Sequence, residues 1–276
     1  NDLPMTDNCP GFGSVAKYIA ISTREASFDV ASMAKTSTKV FVLEVMGRHA
    51  GWIAAAGGMA ADGDNDIPIL ILFPEVPFER HRFLAAVKQK VKTHGYCSVV
   101  VSEGLRDHQG RFLSDQGLRD AFGHAQLGGV ASVISTMVKD DLGLKYHYAV
   151  ADYLQRSARH IASLTDVSQA YAVGQAAVEL ALRGKNSIMP SIVRTSNKPY
   201  RWRIGEAKLS RVANREKMMP ASFITRDGFG ITQRCRTYLA PLMKGEDYPP
   251  YRNGLPRYVR LKNTAVPKKL KTPFAL

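Results

Sequence analysis

A chain of 276 residues, 45% of them hydrophobic, holds enough apolar material for one large domain or two smaller ones, and its three widely spaced cysteines exclude a disulfide framework or a zinc pattern and fit a reducing, cytoplasmic setting. The net charge of +14 invites a nucleic-acid reading, but eight lysines and arginines against two acids crowd between Lys244 and Leu276, a distribution that argues against it; basic character also suits an enzyme of polyanionic phosphate substrates. No run approaches the roughly 18 apolar residues of a membrane span, and no secretory leader is visible.

The opening Asn1-Asp2-Leu3-Pro4 reads as the interior of a domain. A polar, Gly/Pro-containing loop over 6–13 leads into a predicted helix over 14–33, with Val15, Ile19, Ala26 and Val30 on one face. Strands and helices then alternate: strand 40–45, helix 52–61, strand 69–73, helix 78–93, strand 96–101, helix 129–140 and strand 146–151. The strands are short, β-branched and almost continuously apolar, as expected when helices cover both faces. This rhythm predicts an α/β fold with a doubly wound, mainly parallel sheet.

A long helix over 163–183 follows, ended by Gly184, with Ala170, Val173, Ala177, Leu180 and Ala181 as its expected buried stripe. Strand 188–193 carries Arg194 just beyond its end. After it the rhythm degrades through Trp202-Arg203-Ile204 and Met218-Met219-Pro220 to a helix over 231–243 and the basic tail.

The stretch Val45-Met46-Gly47-Arg48-His49-Ala50-Gly51-Trp52 stands out. A buried strand runs into a glycine turn and then into a helix, and ligands of open α/β sheets sit past the carboxyl ends of strands. Glycine allows close backbone approach, the helix start offers N–H groups to an anion, and Arg48 offers a planar fork for phosphate. Alone, the same pattern also reads as a turn whose arginine points at solvent.

Other polar groups follow other strand ends. Glu103 lies in Ser102-Glu103-Gly104, and Tyr153 and Arg156 follow the strand over 146–151. Asp2 and Asp7 bracket the first seven residues, with Asp2 a candidate to bind a metal or orient a base. Two arginines, a glutamate and a tyrosine on one sheet edge suit a phosphorylated polyol. Singly, Glu103 also reads as a loop cap, Arg156 as a solvated residue, Asp166 as a helix-start charge and His49 as a local hydrogen-bond partner. The seven histidines lack ligand spacing, so no transition-metal site is predicted.

Together these segments resemble the phosphofructokinase family. Residues 1–7 are similar to the tail of its signature Thr-Ile-Asp-Asn-Asp, and residues 9–16 to the segment that follows in pyrophosphate-dependent members. Met46-Gly47-Arg48 resembles the substrate motif, Ser102-Glu103-Gly104 the sugar-binding glutamate, and Tyr153-Leu154-Gln155-Arg156 the Tyr/His-x-Gln-Arg motif. The matches keep the family's order and spacing over most of residues 1–243.

The resemblance implies two α/β domains, the first incomplete. Residues 1–13 would end the phosphoryl-donor domain, 14–152 form the sugar-phosphate domain, 153–243 return to the donor domain with crossing helices, and 244–276 form a basic extension. It implies transfer of a phosphoryl group from pyrophosphate to the 1-hydroxyl of fructose 6-phosphate, with Mg²⁺. Asp2 and Arg48 would be catalytic, Arg48 meeting the transferred phosphoryl. Met46 and Gly47 would shape the sugar pocket, Glu103 bind hydroxyls, and the Tyr153–Arg156 motif, with Leu154 and Gln155, hold the sugar phosphate.

Lys39 and His147, with Lys145 beside the latter, stand where some ATP-dependent relatives place arginines that reach a neighbouring subunit's phosphate. A homodimer or homotetramer of the complete protein is the implied assembly. The implied general base falls immediately before Asn1, and the glycine-rich diphosphate loop and the Mg²⁺-handling aspartate fall upstream, so this chain alone is expected to be inactive. An ATP-dependent phosphofructokinase and a non-catalytic sugar-phosphate-binding subunit remain as alternatives, with nucleic-acid binding a distant third and no membrane role.

Overall fold

A computed structural model describes residues 1–62, 66–114 and 129–269. Its centre is a parallel four-stranded sheet of β1 (Val40–Val45), β2 (Ile69–Leu72), β3 (Cys97–Ser102) and β4 (Tyr146–Val150), in the order β2-β3-β1-β4. Successive side chains of a strand face opposite ways. Val40 and Val42 therefore enter one core with Phe83, Val99 and Ile134, while Leu43 and Val45 enter another with Ile19, Trp52 and Ile71.

The first core lies under α3 (Arg80–His94) and α4 (Val130–Leu142), the second under α1 (Phe12–Met33) and α2 (Trp52–Gly57). Helices on both faces explain why β1 and β3 are apolar nearly throughout. The sheet is doubly wound, as its sequence rhythm predicts.

β4 departs from that rhythm. It ends the strand order, and four of its five residues are exposed, Tyr148 and Val150 included. The helix expected over 52–61 stops at Gly57 and continues as a 3₁₀ turn, Gly58–Ala60. The one expected from residue 78 begins at Arg80.

Beyond β4 come a single turn, α5 (Leu154–Ser157), and the long α6 (Leu164–Leu182). The buried stripe expected on α6 is not the one observed. Of its five residues only Leu180 is buried, beside the polar Asp166 and Gln169, while Ala170, Ala177 and Ala181 are exposed. The helix is apolar on nearly every side, so periodicity singles out no face. Hydrogen bonds decide instead: Asn8 Nδ2 donates to Gln169 Oε1 at 2.8 Å, and Gln169 Nε2 to the Tyr200 hydroxyl at 2.8 Å.

The strand expected over 188–193 runs on as β5 (Ile188–Asn197) and pairs antiparallel with β6 (Tyr200–Lys208), so Arg194 lies within it. The helix expected over 231–243 is α7 (Gln233–Leu239) followed by a 3₁₀ turn, Ala240–Met243, that contains Pro241. Phe223, Ile231, Cys235, Leu239 and Leu242 complete the core beneath α1 and α2.

Asp166 begins α6 but serves α1. Its carboxylate accepts from Gly11 N at 2.8 Å, from Ser14 N at 2.9 Å and from Ser14 Oγ at 2.5 Å. It thereby occupies the N–H groups a helix start leaves open. The chain after α7 is fastened as far as Asp247: Lys17 Nζ donates to Gly245 O and pairs with Glu246, and Arg159 pairs with Asp247.

Candidate active site

Because β3, β1 and β4 are neighbours and parallel, their carboxyl ends deliver three turns to one side of the sheet. The turn after β1 holds Met46, Gly47 and Arg48, and side chains from the other two close on it. Glu103 Oε1 accepts from Gly47 N at 3.1 Å, and Gln155 Oε1 accepts from Met46 N at 3.3 Å. Gln155 is in turn oriented by donating Nε2 to Asp152 O at 2.8 Å. Ser102 Oγ donates to Gly47 O.

Gly47 sits at φ 141°, where a side chain would also meet Ser102 Oγ and Ala50 O at 2.9 Å. Gly104 is tighter still: a Cβ there would lie 1.9 Å from Arg48 O. The Arg48 turn and the Glu103 turn thus touch backbone to backbone. Gly104→Ala is expected to cost about 2 kcal/mol, in the range of overpacked cores. Urea unfolding checks this, and a loss below about 0.5 kcal/mol, typical of neutral surface changes, would contradict the contact.

Tyr153, Leu154 and Arg156 are exposed on α5 and its cap, with the Arg156 guanidinium 5.1 Å from the Tyr153 ring centroid. Arg156 also lines a cavity of about 210 Å³ with Ser14, Gln155, Arg159 and Asp166. Arg159 is committed to Asp247, whereas Arg156 forms no ion pair among the described residues. Arg48 and Glu103 do not line that cavity; they meet Arg156 only through the shared frame of Gly47, Met46 and Gln155.

The helix start after Arg48 is not open to an anion as the sequence suggests. Glu75 Oε1 accepts from Gly51 N at 2.8 Å, so a carboxylate from the β2 side already occupies it. No local pattern marks Glu75 for this role. Burial pushes its carboxyl above the ordinary value of 4.5, against the backbone N–H groups that favour its charge.

A carboxyl raised on folding contributes stability that is full below the unfolded value of 4.5 and is lost as pH rises through the folded value. Relative to Glu75→Gln, wild type should therefore weaken between about pH 4.5 and the folded pKa, then level off. Urea midpoints across this pH range test it, and a constant difference would contradict it. Glu44, buried in β1, is raised in the same direction, first by burial and further by Glu103 and Asp152; it accepts from Ala131 N at 2.8 Å at the start of α4.

Asp2 is exposed, and its carbonyl accepts from Lys217 N. Its companion Asp7 is half-buried and paired with Arg194 at 2.9 Å, which makes Asp7 a fastening residue. His49, beside Arg48, bonds Glu216 at 2.7 Å, a partner far away in sequence. Lys39, Lys145 and His147 lie at the opposite end of the strands: Lys39 N donates to Lys145 O at 2.9 Å, and His147 faces Phe41 in the register. The six residues of β1 span about 20 Å, so these three side chains are remote from Arg48 of the same chain.

Residues 1–181 match the phosphofructokinase family model. The chain belongs to the phosphofructokinase family. It is 67% identical over 276 residues to the pyrophosphate–fructose 6-phosphate 1-phosphotransferase of Methylococcus capsulatus, covering all of this chain and 66% of that protein. It is 64% identical over 270 residues to the protein of the same name from Halomonas elongata, covering 98% of this chain and 64% of that one.

The crystal structure of the pyrophosphate-dependent phosphofructokinase from Nitrosospira multiformis superposes with a TM-score of 0.90 at 66% identity, over 98% of this chain and 64% of that one. The chain thus spans about two thirds of the length of these phosphofructokinases. The strand-end turns described above fall within the span that matches the family.

Proposed function

We propose that this chain forms the sugar-phosphate side of a pyrophosphate-dependent 6-phosphofructokinase. The observation that carries the reading is the Met46–Gly47–Arg48 turn, closed by Glu103 from β3 and by Gln155 of the motif that ends in Arg156. The 67% identity to the pyrophosphate–fructose 6-phosphate 1-phosphotransferase of Methylococcus capsulatus supports the choice of pyrophosphate as donor.

In the reaction, the 1-hydroxyl oxygen of fructose 6-phosphate attacks the terminal phosphorus of pyrophosphate, the bridging P–O bond breaks, and phosphate leaves. The proton passes to a base that the family resemblance places before Asn1. Arg156, with Tyr153, holds the 6-phosphate; Glu103 accepts from sugar hydroxyls with the oxygen that Gly47 leaves open; Arg48 neutralises charge on the transferred group. Asp2 lies on the segment that would face it. Catalysis of this kind rests on positioning and charge neutralisation.

Mg²⁺ belongs to the proposed reaction, but the described residues do not form a site for it. No group of three or more His, Cys, Asp or Glu gathers at ligand distance among them, and Asp7 is already paired with Arg194. Lys39, Lys145 and His147, remote from Arg48, fit contacts to the sugar phosphate of a second copy in a homodimer or homotetramer. The division at residues 13, 152 and 243, with a basic extension from 244, is part of the same reading.

The three free thiols suit a cytoplasmic setting, and among the described residues no helix is long and apolar enough to cross a membrane. Equilibrium dialysis tests the reading: the 276-residue chain should retain fructose 6-phosphate with a dissociation constant in the usual substrate range, about 1 μM to 1 mM. Incubated with pyrophosphate and Mg²⁺, it should show no turnover. Failure to retain the sugar phosphate would overturn the reading, and turnover would overturn the placement of the base.

A further inference from the structure

We propose that Lys217 is a positioning residue that locks the segment carrying Asp2 to the turn carrying Arg48; the inference rests on the reading of those two residues given above. Lys217 lies in no motif and in no helix or strand. Its ammonium donates to Thr6 O at 2.9 Å and to Asp7 O at 2.8 Å, and sits 5.3 Å from the centre of the Trp52 ring. Two carbonyls and an aromatic face thereby surround the ammonium.

The backbone of Lys217 repeats the link. Its N–H donates to Asp2 O, and its carbonyl accepts from Trp52 Nε1 at 2.9 Å. Trp52 is the first residue of α2, four positions after Arg48, and is buried among Phe12, Phe223 and Tyr238. One residue therefore joins two segments that are separated by some forty positions in the sequence.

The neighbours of Lys217 support the bracket. Glu216 pairs with His49, next to Arg48, and Met219 is buried in the core beneath α2. Burial lowers the Lys217 pKa, and Cys9, Asp7 and Asp2, all on the segment it fastens, oppose that shift. A lysine merely covering apolar surface would not place both its head and its backbone on the same two segments.

The test compares Lys217→Met, which keeps the stem and loses the cation, with Lys217→Arg. Amide hydrogen exchange is read at Asp7 N–H, which is bonded to Ile192 O, and at Trp52 Nε1–H; fructose 6-phosphate affinity is measured on the same samples. The methionine variant should accelerate exchange at both sites together and weaken sugar-phosphate binding roughly tenfold, equivalent to about 1.4 kcal/mol. The arginine variant should restore most of both.

Faster exchange with unchanged affinity would overturn the positioning role, and unchanged exchange would overturn the clamp. If wild type binds no fructose 6-phosphate, the functional reading fails, and coupled acceleration at the two sites still decides the clamp. Should the methionine variant not fold, Trp52→Phe removes the indole donor and keeps an aromatic ring in the same place. Faster exchange at Asp7 N–H in that variant supports the link, and unchanged exchange overturns it.

Discussion

Replacing Arg156 by methionine should weaken fructose 6-phosphate binding to this chain by about 100-fold. Hydrogen bonds to charged groups contribute about 1.5–3 kcal/mol, and each 1.4 kcal/mol is tenfold in affinity. Arg156 is exposed at the lip of its cavity, its guanidinium lies by the Tyr153 ring, and no carboxylate among the described residues competes for it. Methionine keeps a flexible stem of similar reach, so packing changes little.

Lysine at this position keeps the charge but not the two-pronged fork, and should lose roughly tenfold. Calorimetric titration with fructose 6-phosphate reads both variants. A loss of less than about threefold in the methionine variant, well under 1 kcal/mol, would assign the 6-phosphate to other residues.

The largest stability effect belongs to Asp166→Ala. Asp166 is 3% exposed, and its carboxylate takes three hydrogen bonds from Gly11 and Ser14, joining the start of α1 to the start of α6. Alanine leaves two backbone N–H groups and a hydroxyl without their acceptor in a semi-enclosed place. The expected loss is about 3 kcal/mol, several times that of an ordinary helix cap because the acceptor is charged and buried.

For a chain of this size the melting temperature should fall by roughly 6–12 °C. Asp166→Asn keeps one acceptor oxygen and should lose about half as much. A loss within about 1 kcal/mol for alanine would mean that water replaces the carboxylate, and α1 would not depend on α6 for its cap.

The sheet was legible because each central strand is a β-branched run with helices on both sides, bounded by Gly or polar turns. β1 matches its expected limits, and β2, β3 and β4 lie within a residue or so of theirs. The turn at Gly47 and Arg48 was legible for the same reason: it interrupts such a run where a parallel strand must end.

Other features were hidden because their cause is not local. The target of Asp166 is α1, 152 positions away, so its place at a helix start reads only as a local charge. Glu75 and Lys217 act through contacts with Gly51, Trp52 and Thr6 that no spacing announces. β6 alternates apolar and polar residues from Tyr200 to Ile204, but only Trp202-Arg203-Ile204 stood out, and a hairpin fell outside the parallel rhythm. On α6 the apolar residues are too many to define a face, and the buried side is polar.

The central claim is that three strand-end turns surround one sugar phosphate. Hydrogen–deuterium exchange of the chain with and without saturating fructose 6-phosphate tests it most directly. Protection is expected in peptides covering residues 45–51, 102–105 and 152–157 together, with the groove between α6 and β6 unchanged. Protection of only one of the three turns, or of the α6–β6 groove instead, would contradict it.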